Sequence, residues 1–123
     1  MKEIEGIILK LGTKDLNGLI FSKDCIIDYY EKVPIIVGYD YRNSKNVVGD
    51  AKIIRNDNIL SIQGEISDES IGTLIEEEIY TYLGFFANKI KKKDNIVTNM
   101  TIRFITLLAD TESGLDYCKI IKK

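Results

Sequence analysis

The sequence predicts an α+β domain, mainly antiparallel β, and three observations predict it. Segments rich in Ile, Val, Tyr and Phe recur along the chain between clusters of Gly, Asn and Asp, the spacing of strands joined by turns. Only two stretches carry apolar residues at the helical i, i+3, i+4 period. The 123 residues are 45% hydrophobic and contain no Pro-rich or Gly/Ser-rich linker, repeat or low-complexity tract, so residues 1–123 are read as one domain. A chain of this size buries roughly two-thirds of its unfolded surface, enough for one core.

The first strand is "EIEGIILKL", ending at Gly12. The following "GTKDLNGLIF" packs glycines, Asp15 and Asn17 into a chain reversal that needs positive φ. In "SKDCIIDYYEK", Ser22 is a helix cap and Ile26, Tyr29 and Tyr30 repeat at i, i+3, i+4, so the spacing predicts a short helix over 22–32. Pro34, the only proline, opens the next strand, Ile35 to Val37, because it has no N–H to donate to a ladder. "VVGDAKIIR" and "ILSIQGEIS" around "NDN" (56–58) read as a hairpin. A second helix over 68–80 follows from a Ser67 or Asp68 cap and from Ile71, Leu74, Ile75 and Ile79 at helical spacing, weakened slightly by Gly72. "YLGFFANKI", the turn "KKKDN", "IVTNMTIRFITLLA" and "LDYCKII" complete about seven strands and two short helices.

Composition excludes several classes of function. A net charge of −2 disfavours general binding to a phosphate backbone, so nucleic acid is not an expected partner. The chain has no His, and Cys25 and Cys118 lie far apart without CxxC spacing, so no zinc site of familiar spacing, no metal and no cofactor is expected. Both thiols are read as packing residues, since neither has an imidazole to activate it. The N-terminal apolar run is interrupted by Glu3 and Glu5 and is unlike a signal peptide; no stretch reaches bilayer length, and no membrane is expected.

The remaining candidates each have a plainer reading. Glu76, Glu77 and Glu78 are adjacent on a predicted helix and point in different directions, as on a solvated face. Lys91, Lys92 and Lys93 at a hairpin tip keep an edge soluble. "ADTESG" is only a distant relation of an aspartic-protease turn, because Glu112 and Ser113 separate Thr111 from Gly114. Ser22, Ser44 and Ser61 remain open as members of a Ser–Lys dyad, with nothing in their spacing to select one.

The order of segments carries more information than any one of them. "DLNGLIFSKD", "VPIIVGYD" with "VVGDA", "ILSIQGEI", "YLGFFANKI" and "IRFITLLAD" succeed one another over nearly the whole chain, from about Gly6 to Ile121. This series resembles the prohead (capsid maturation) proteases of tailed bacteriophages. The resemblance implies a herpesvirus/prohead-protease-like β-barrel with two short helices, and a Ser nucleophile served by a His base. At the family's Asn-His-Asp this chain reads Gly38-Tyr39-Asp40, so Tyr39 stands where the His would be. Its Ser-x-Gly-Phe matches Tyr82-Leu83-Gly84-Phe85, so Tyr82 stands in the serine's place. Its Glu-Val-Ser-Leu-Val strand matches residues 104–108, with Phe104 for the Glu and Thr106 for the Ser.

A phenol with a pKa near 10 is a poor substitute for an imidazole as general base, and a tyrosine without an activating base is a poor acyl carrier. The expectation is therefore a pseudo-protease in which Tyr39 and Tyr82 are degenerate catalytic positions facing one another over a shallow depression, Tyr39 filling the former site. The chain ends directly after its last predicted strand, so no helical scaffolding arm is expected. The implied role is that of a capsid decoration or minor capsid protein, made in the host bacterial cytoplasm and located in the virion capsid. Its implied partners are the major capsid protein and further copies of itself on the capsid lattice. The alternatives are a maturation protease or hydrolase with a relocated nucleophile, an assembly-stage binder of capsid precursor, and an unrelated small β-barrel binding module.

Overall fold

The computed structural model describes residues 1–14, 18–38, 40, 43–109 and 117–123. They form a mostly β domain with one α-helix among the described residues. The elements are β1 (Lys2–Lys10), β2 (Ile20–Asp28), β3 (Lys32–Val37), β4 (Val47–Asn56), β5 (Ile59–Ile66), α1 (Glu69–Glu76), β6 (Tyr80–Lys93), β7 (Ile96–Ala109) and β8 (Ile121–Lys122), with a 3₁₀ turn at Ser44–Asn46.

The predicted 56–58 hairpin is present, with β4 and β5 paired from Gly49↔Ile66 to Asn56↔Ile59 around Asp57, whose φ is +60°. Gly12 and Gly18 take the positive φ that their loop composition called for. Pro34 precedes the point at which β3 joins β7, at Ile35↔Ile105. Ile4, Ile8, Ile35, Leu60, Ile62, Val97, Ile102 and Ile105 meet in the main core.

Three expectations are corrected. The 22–32 segment is not a helix: it runs as strand β2 up to Asp28, parallel to β7 from Ile20↔Ile96 to Asp28↔Thr101, and then bends through 29–31 into β3 at Lys32. Its apparent helical stripe was not a core face: Ile26 and Tyr30 are 60% and 67% exposed, while Cys25 and Phe21 point inward. The cap-like bond of Ser22 does form, from the Asp24 N–H at 3.2 Å, but within an irregularity of the strand between Phe21 and Ile26. Pairing with β7 has overridden local periodicity.

The second helix starts where expected, the Asp68 carboxylate accepting the Ile71 N–H at 3.1 Å, but it stops at Glu76 instead of Tyr80. Glu78, with φ +60°, reverses the chain while the Ile79 N–H donates to the Leu74 carbonyl and the Glu78 N–H to that of Ile75. These two bonds make a Schellman end. A glutamate in the position usually held by glycine gave no signal in the sequence.

The sheet, finally, is mixed and is not a closed barrel. With β6 along one side of β7, strands β2 and β3 follow one another in parallel along the other, and the path continues through β4, β5 and β1 to β8. Between β6 and the β1 side the pairing among the described residues is the isolated bridge Tyr82↔Lys119, with the Leu83 N–H donating to the Cys118 carbonyl and the Ile120 N–H to that of Thr81. Arg55 adds a second tie across the curl, its guanidinium donating to the Cys25 and Lys23 carbonyls at 2.8 and 3.1 Å. No helix among the described residues is long and apolar enough to cross a membrane.

Both cysteines are free and buried. Burial pushes the Cys25 thiol up, against the smaller pull of the Arg55 cation. The folded state thus holds that proton more tightly than the unfolded one, so stability falls as pH rises above the ordinary thiol range. Alkylation at neutral pH is expected to proceed only as fast as the chain opens, and fast labelling of Cys25 in the folded protein would contradict its placement.

Candidate functional site

The three described positions singled out by the resemblance converge on adjoining parts of β6 and β7, and a bulge puts them there. Phe86 pairs with Phe104 and Ala87 with Ile102, leaving Arg103 as an extra residue in β7. Such a bulge shifts the inside–outside alternation of the strand. Ile102, Ile105 and Leu107 consequently belong to the main core, while Phe104, Thr106 and Leu108 turn to the opposite face, where they are also buried.

Phe104 is fully buried and stacks on Phe86, with ring centroids 5.1 Å apart and planes 5° from parallel. Thr106, 3% exposed, donates its hydroxyl to the Gly38 carbonyl at 3.0 Å. Gly38, with φ +81°, ends β3 in a conformation suited to glycine. The Asp40 carbonyl accepts from the Asn46 side-chain amide at 3.0 Å, which ties this turn to the 3₁₀ segment. Gly84 lies opposite Thr106, and a methyl group there would come within 3.1 Å of both Thr106 Cγ2 and Leu108 Cδ1. Two side chains thus occupy the space above that glycine.

Tyr82 pairs with Leu108, two residues along from Thr106. It is half-buried and borders a concavity of about 260 Å³ shared with Glu78, Thr81, Lys119 and Lys122. Tyr39 lies outside the described residues, as do the 110–114 part of the "ADTESG" segment and the first part of the expected last strand. The carbonyl just before Tyr39, that of Gly38, accepts the Thr106 hydroxyl.

What these groups can do chemically is limited. The Thr106 hydroxyl is spent as a donor to a backbone carbonyl, and the chain contains no imidazole to deprotonate it. Where the resemblance would put a carboxylate stands the Phe104–Phe86 stack. Among the described residues no cluster of carboxylates, thiols or imidazoles is arranged to hold a metal ion. Ser22 accepts from its own strand, Ser44 lies in the exposed 3₁₀ turn and Ser61 in the middle of β5, and no lysine ammonium bonds any of them among the described residues. Sequence reading named Phe104, Thr106 and Gly38 but not the bond between the last two, and it missed Phe86, for which the consecutive aromatics of "GFF" were the available signal.

Comparison with protein-family models, with curated proteins and with solved structures finds no match for this chain.

Proposed function

We propose that this chain is a catalytically inactive, prohead-protease-like structural protein of a tailed-bacteriophage virion, a capsid decoration or minor capsid protein that binds and stabilises the shell of major capsid protein. The ordered resemblance of its segments supports the ancestry. The curled β-sheet supports a related domain, without the closed barrel. The observation that carries the loss of catalysis is the buried Thr106 hydroxyl donated to the Gly38 carbonyl beside the Phe104–Phe86 stack, in a chain devoid of histidine. A rigid β-domain loses little conformational entropy on docking, and modest contacts repeated over a lattice sum to useful stabilisation of the shell.

The test has two arms. The purified protein is expected to leave the capsid precursor of its phage uncut, and Tyr39→His combined with Tyr82→Ser is expected to restore nothing, because Phe104 and the orienting groups are still wrong. Quantitative mass spectrometry of virions is expected to find many copies per particle, and particles lacking the protein are expected to rupture at lower temperature. Inhibitor-sensitive cleavage by the wild-type chain would sink the proposal. Absence from mature particles would transfer the role to an assembly-stage binder of precursor.

A further inference from the structure

We propose that residues 117–123, β8 among them, are a latch that leaves the sheet as a unit while the strands on either side stay folded. They lie between β6 and β1 and bond to both. On the β6 side the Leu83 N–H donates to the Cys118 carbonyl at 2.7 Å and the Ile120 N–H to that of Thr81 at 2.8 Å. On the β1 side the pairing is Ile4↔Lys122 and Glu5↔Ile121, the Lys123 N–H donates to the Glu3 carbonyl at 3.2 Å, and the Lys10 N–H donates to the Tyr117 hydroxyl at 3.3 Å. The Cys118 thiol, 2% exposed, donates to the Ile8 carbonyl at 3.5 Å. With the latch seated, the β1 and β6 edges along it are covered, and unpaired edges are what recruit strands from other chains.

The latch is held far less firmly than its neighbours. Within 117–123 only Cys118 is buried; Tyr117 and Ile120 are half-buried, and Lys119, Ile121, Lys122 and Lys123 are exposed. Cys118 lies outside the main core, which Ile120 alone of these residues touches. By contrast β1 is paired with β5 from Lys2↔Ile66 to Lys10↔Ile59, and β6 with β7 from Tyr80↔Ala109 to Lys93↔Ile96. Segments with few buried apolar contacts and solvent-exposed backbone bonds open at lower free energy than the whole domain. The ion pairs of the latch, Lys123–Glu5 at 3.1 Å and Lys122–Glu78 at 3.6 Å, lie at the surface and add little. Thr81, beside the latch, keeps its hydroxyl buried with no hydrogen-bond partner among the described residues, a cost that release into water removes.

Gly6 is the point at which the latch fits most closely. Its φ is not positive, so its role is to leave room and not to turn the chain. A methyl group there would come within 2.8 Å of the Lys119 carbonyl oxygen and 2.7 Å of Leu83 Cδ1. The leucine side chain can turn away, but the carbonyl moves only with the latch. No atom of β5 is among these obstacles, so the Gly6↔Ile62 pairing survives and the strain falls on 117–123. The latch is independent of the capsid reading, since it concerns only how this sheet opens.

N-ethylmaleimide labelling of the full chain, read at each cysteine by mass spectrometry, tests the latch with Cys25 of β2 as internal reference. In native buffer Cys118 is expected to label at least about tenfold faster than Cys25, at a rate that low urea leaves unchanged while the Cys25 rate climbs with it. Gly6→Ala is expected to raise the Cys118 rate about tenfold further and to leave the Cys25 rate within about threefold of wild type. Lys122→Glu with Lys123→Glu, which reverses both ion pairs at the surface, is expected to raise the Cys118 rate alone, by about threefold. Gly49→Ala, whose methyl would overlap the Glu65 carbonyl oxygen and so loosens β4 from β5, is expected to do the reverse and raise the Cys25 rate more than that of Cys118. Should Gly6→Ala fail to fold, the wild-type urea series and the double reversal decide by themselves. Equal rates with equal urea dependence at the two cysteines, or variants that speed both by one common factor, would make 117–123 part of the cooperative core and overturn the inference.

Discussion

Phe104→Glu is expected to leave the chain unfolded at neutral pH. Phe104 has no exposed surface, stacks on Phe86, and shares its face with Ile36 and Leu108, which are 0% and 9% exposed. Removing the ring forfeits about 3–5 kcal/mol of packing, and an ionised carboxylate left there without a partner costs several more. The sum rivals the whole stability of an ordinary domain, about 5–15 kcal/mol. The sign of the pH dependence follows from the same burial. A glutamate at this site would hold its proton more tightly folded than unfolded, so stability should rise as pH falls towards the ordinary carboxylate value of about 4.3. Phe104→Leu, which keeps an apolar side chain, is expected to cost about 1–2 kcal/mol. Chemical denaturation at several pH values reads all three. A Phe104→Glu protein as stable as wild type at pH 7 would mean that the position retains polar partners for a carboxylate, and the idea of a site refilled by packing would fail.

The sequence made the hairpin of β4 and β5 legible because its turn chemistry and its alternation agree, and both are local. β1 and the start of α1 were legible for the same reason, the latter through the Asp68 cap. What misled were two segments whose local signal conflicts with distant pairing. Ile26, in β2, with Tyr29 and Tyr30 just past its end, imitates a helical stripe, and only pairing with β7, where Asn99 stands opposite Ile26, makes 20–28 a strand. At the end of α1, Ile79 continues the helical period in sequence although Glu78 has already turned the chain and Ile79 is 50% exposed. The parallel pairing of β7 with β2 and β3 has no local signature at all, and it is what makes the sheet mixed.

At the candidate site, residue identity was legible and orientation was not. Phe104 and Thr106 were picked from the order of motifs, yet whether they faced the main core depended on the Arg103 bulge, which nothing in "TIRFITLL" announces. Residues 104–108 are all buried because both faces of β7 are covered there, Ile105 and Leu107 by the main core and Phe104, Thr106 and Leu108 on the opposite side, which a reading of alternation alone does not foresee. Gly84 belongs to this account, because its missing side chain is what admits Thr106 and Leu108 above β6.

A glycine elsewhere carries the second large effect. Gly49→Ala is expected to destabilise the protein by about 3 kcal/mol or more, lowering the thermal midpoint by upwards of about 10 °C. Gly49 sits between Ile35 on β3 and Ile66 on β5. A methyl group there would overlap the Glu65 carbonyl oxygen and lie 3.0 Å from Ile66 Cα. These are backbone atoms, so no rotamer change relieves the clash, and β4 must either peel away or slip. A one-residue slip would turn Lys52 inward and Ala51 and Ile53 outward. The damage would reach α1 as well, since the neighbouring Val48 carbonyl accepts the Ser67 and Asp68 N–H groups and the Ser67 hydroxyl at the helix entry. Gly84→Ala is the control: its obstacles are side-chain methyls at 3.1 Å that can yield by a few tenths of an ångström, so its cost is expected near 1 kcal/mol. Equal losses for the two variants, or a wild-type midpoint for Gly49→Ala, would show that β4 and β5 are not paired in this register.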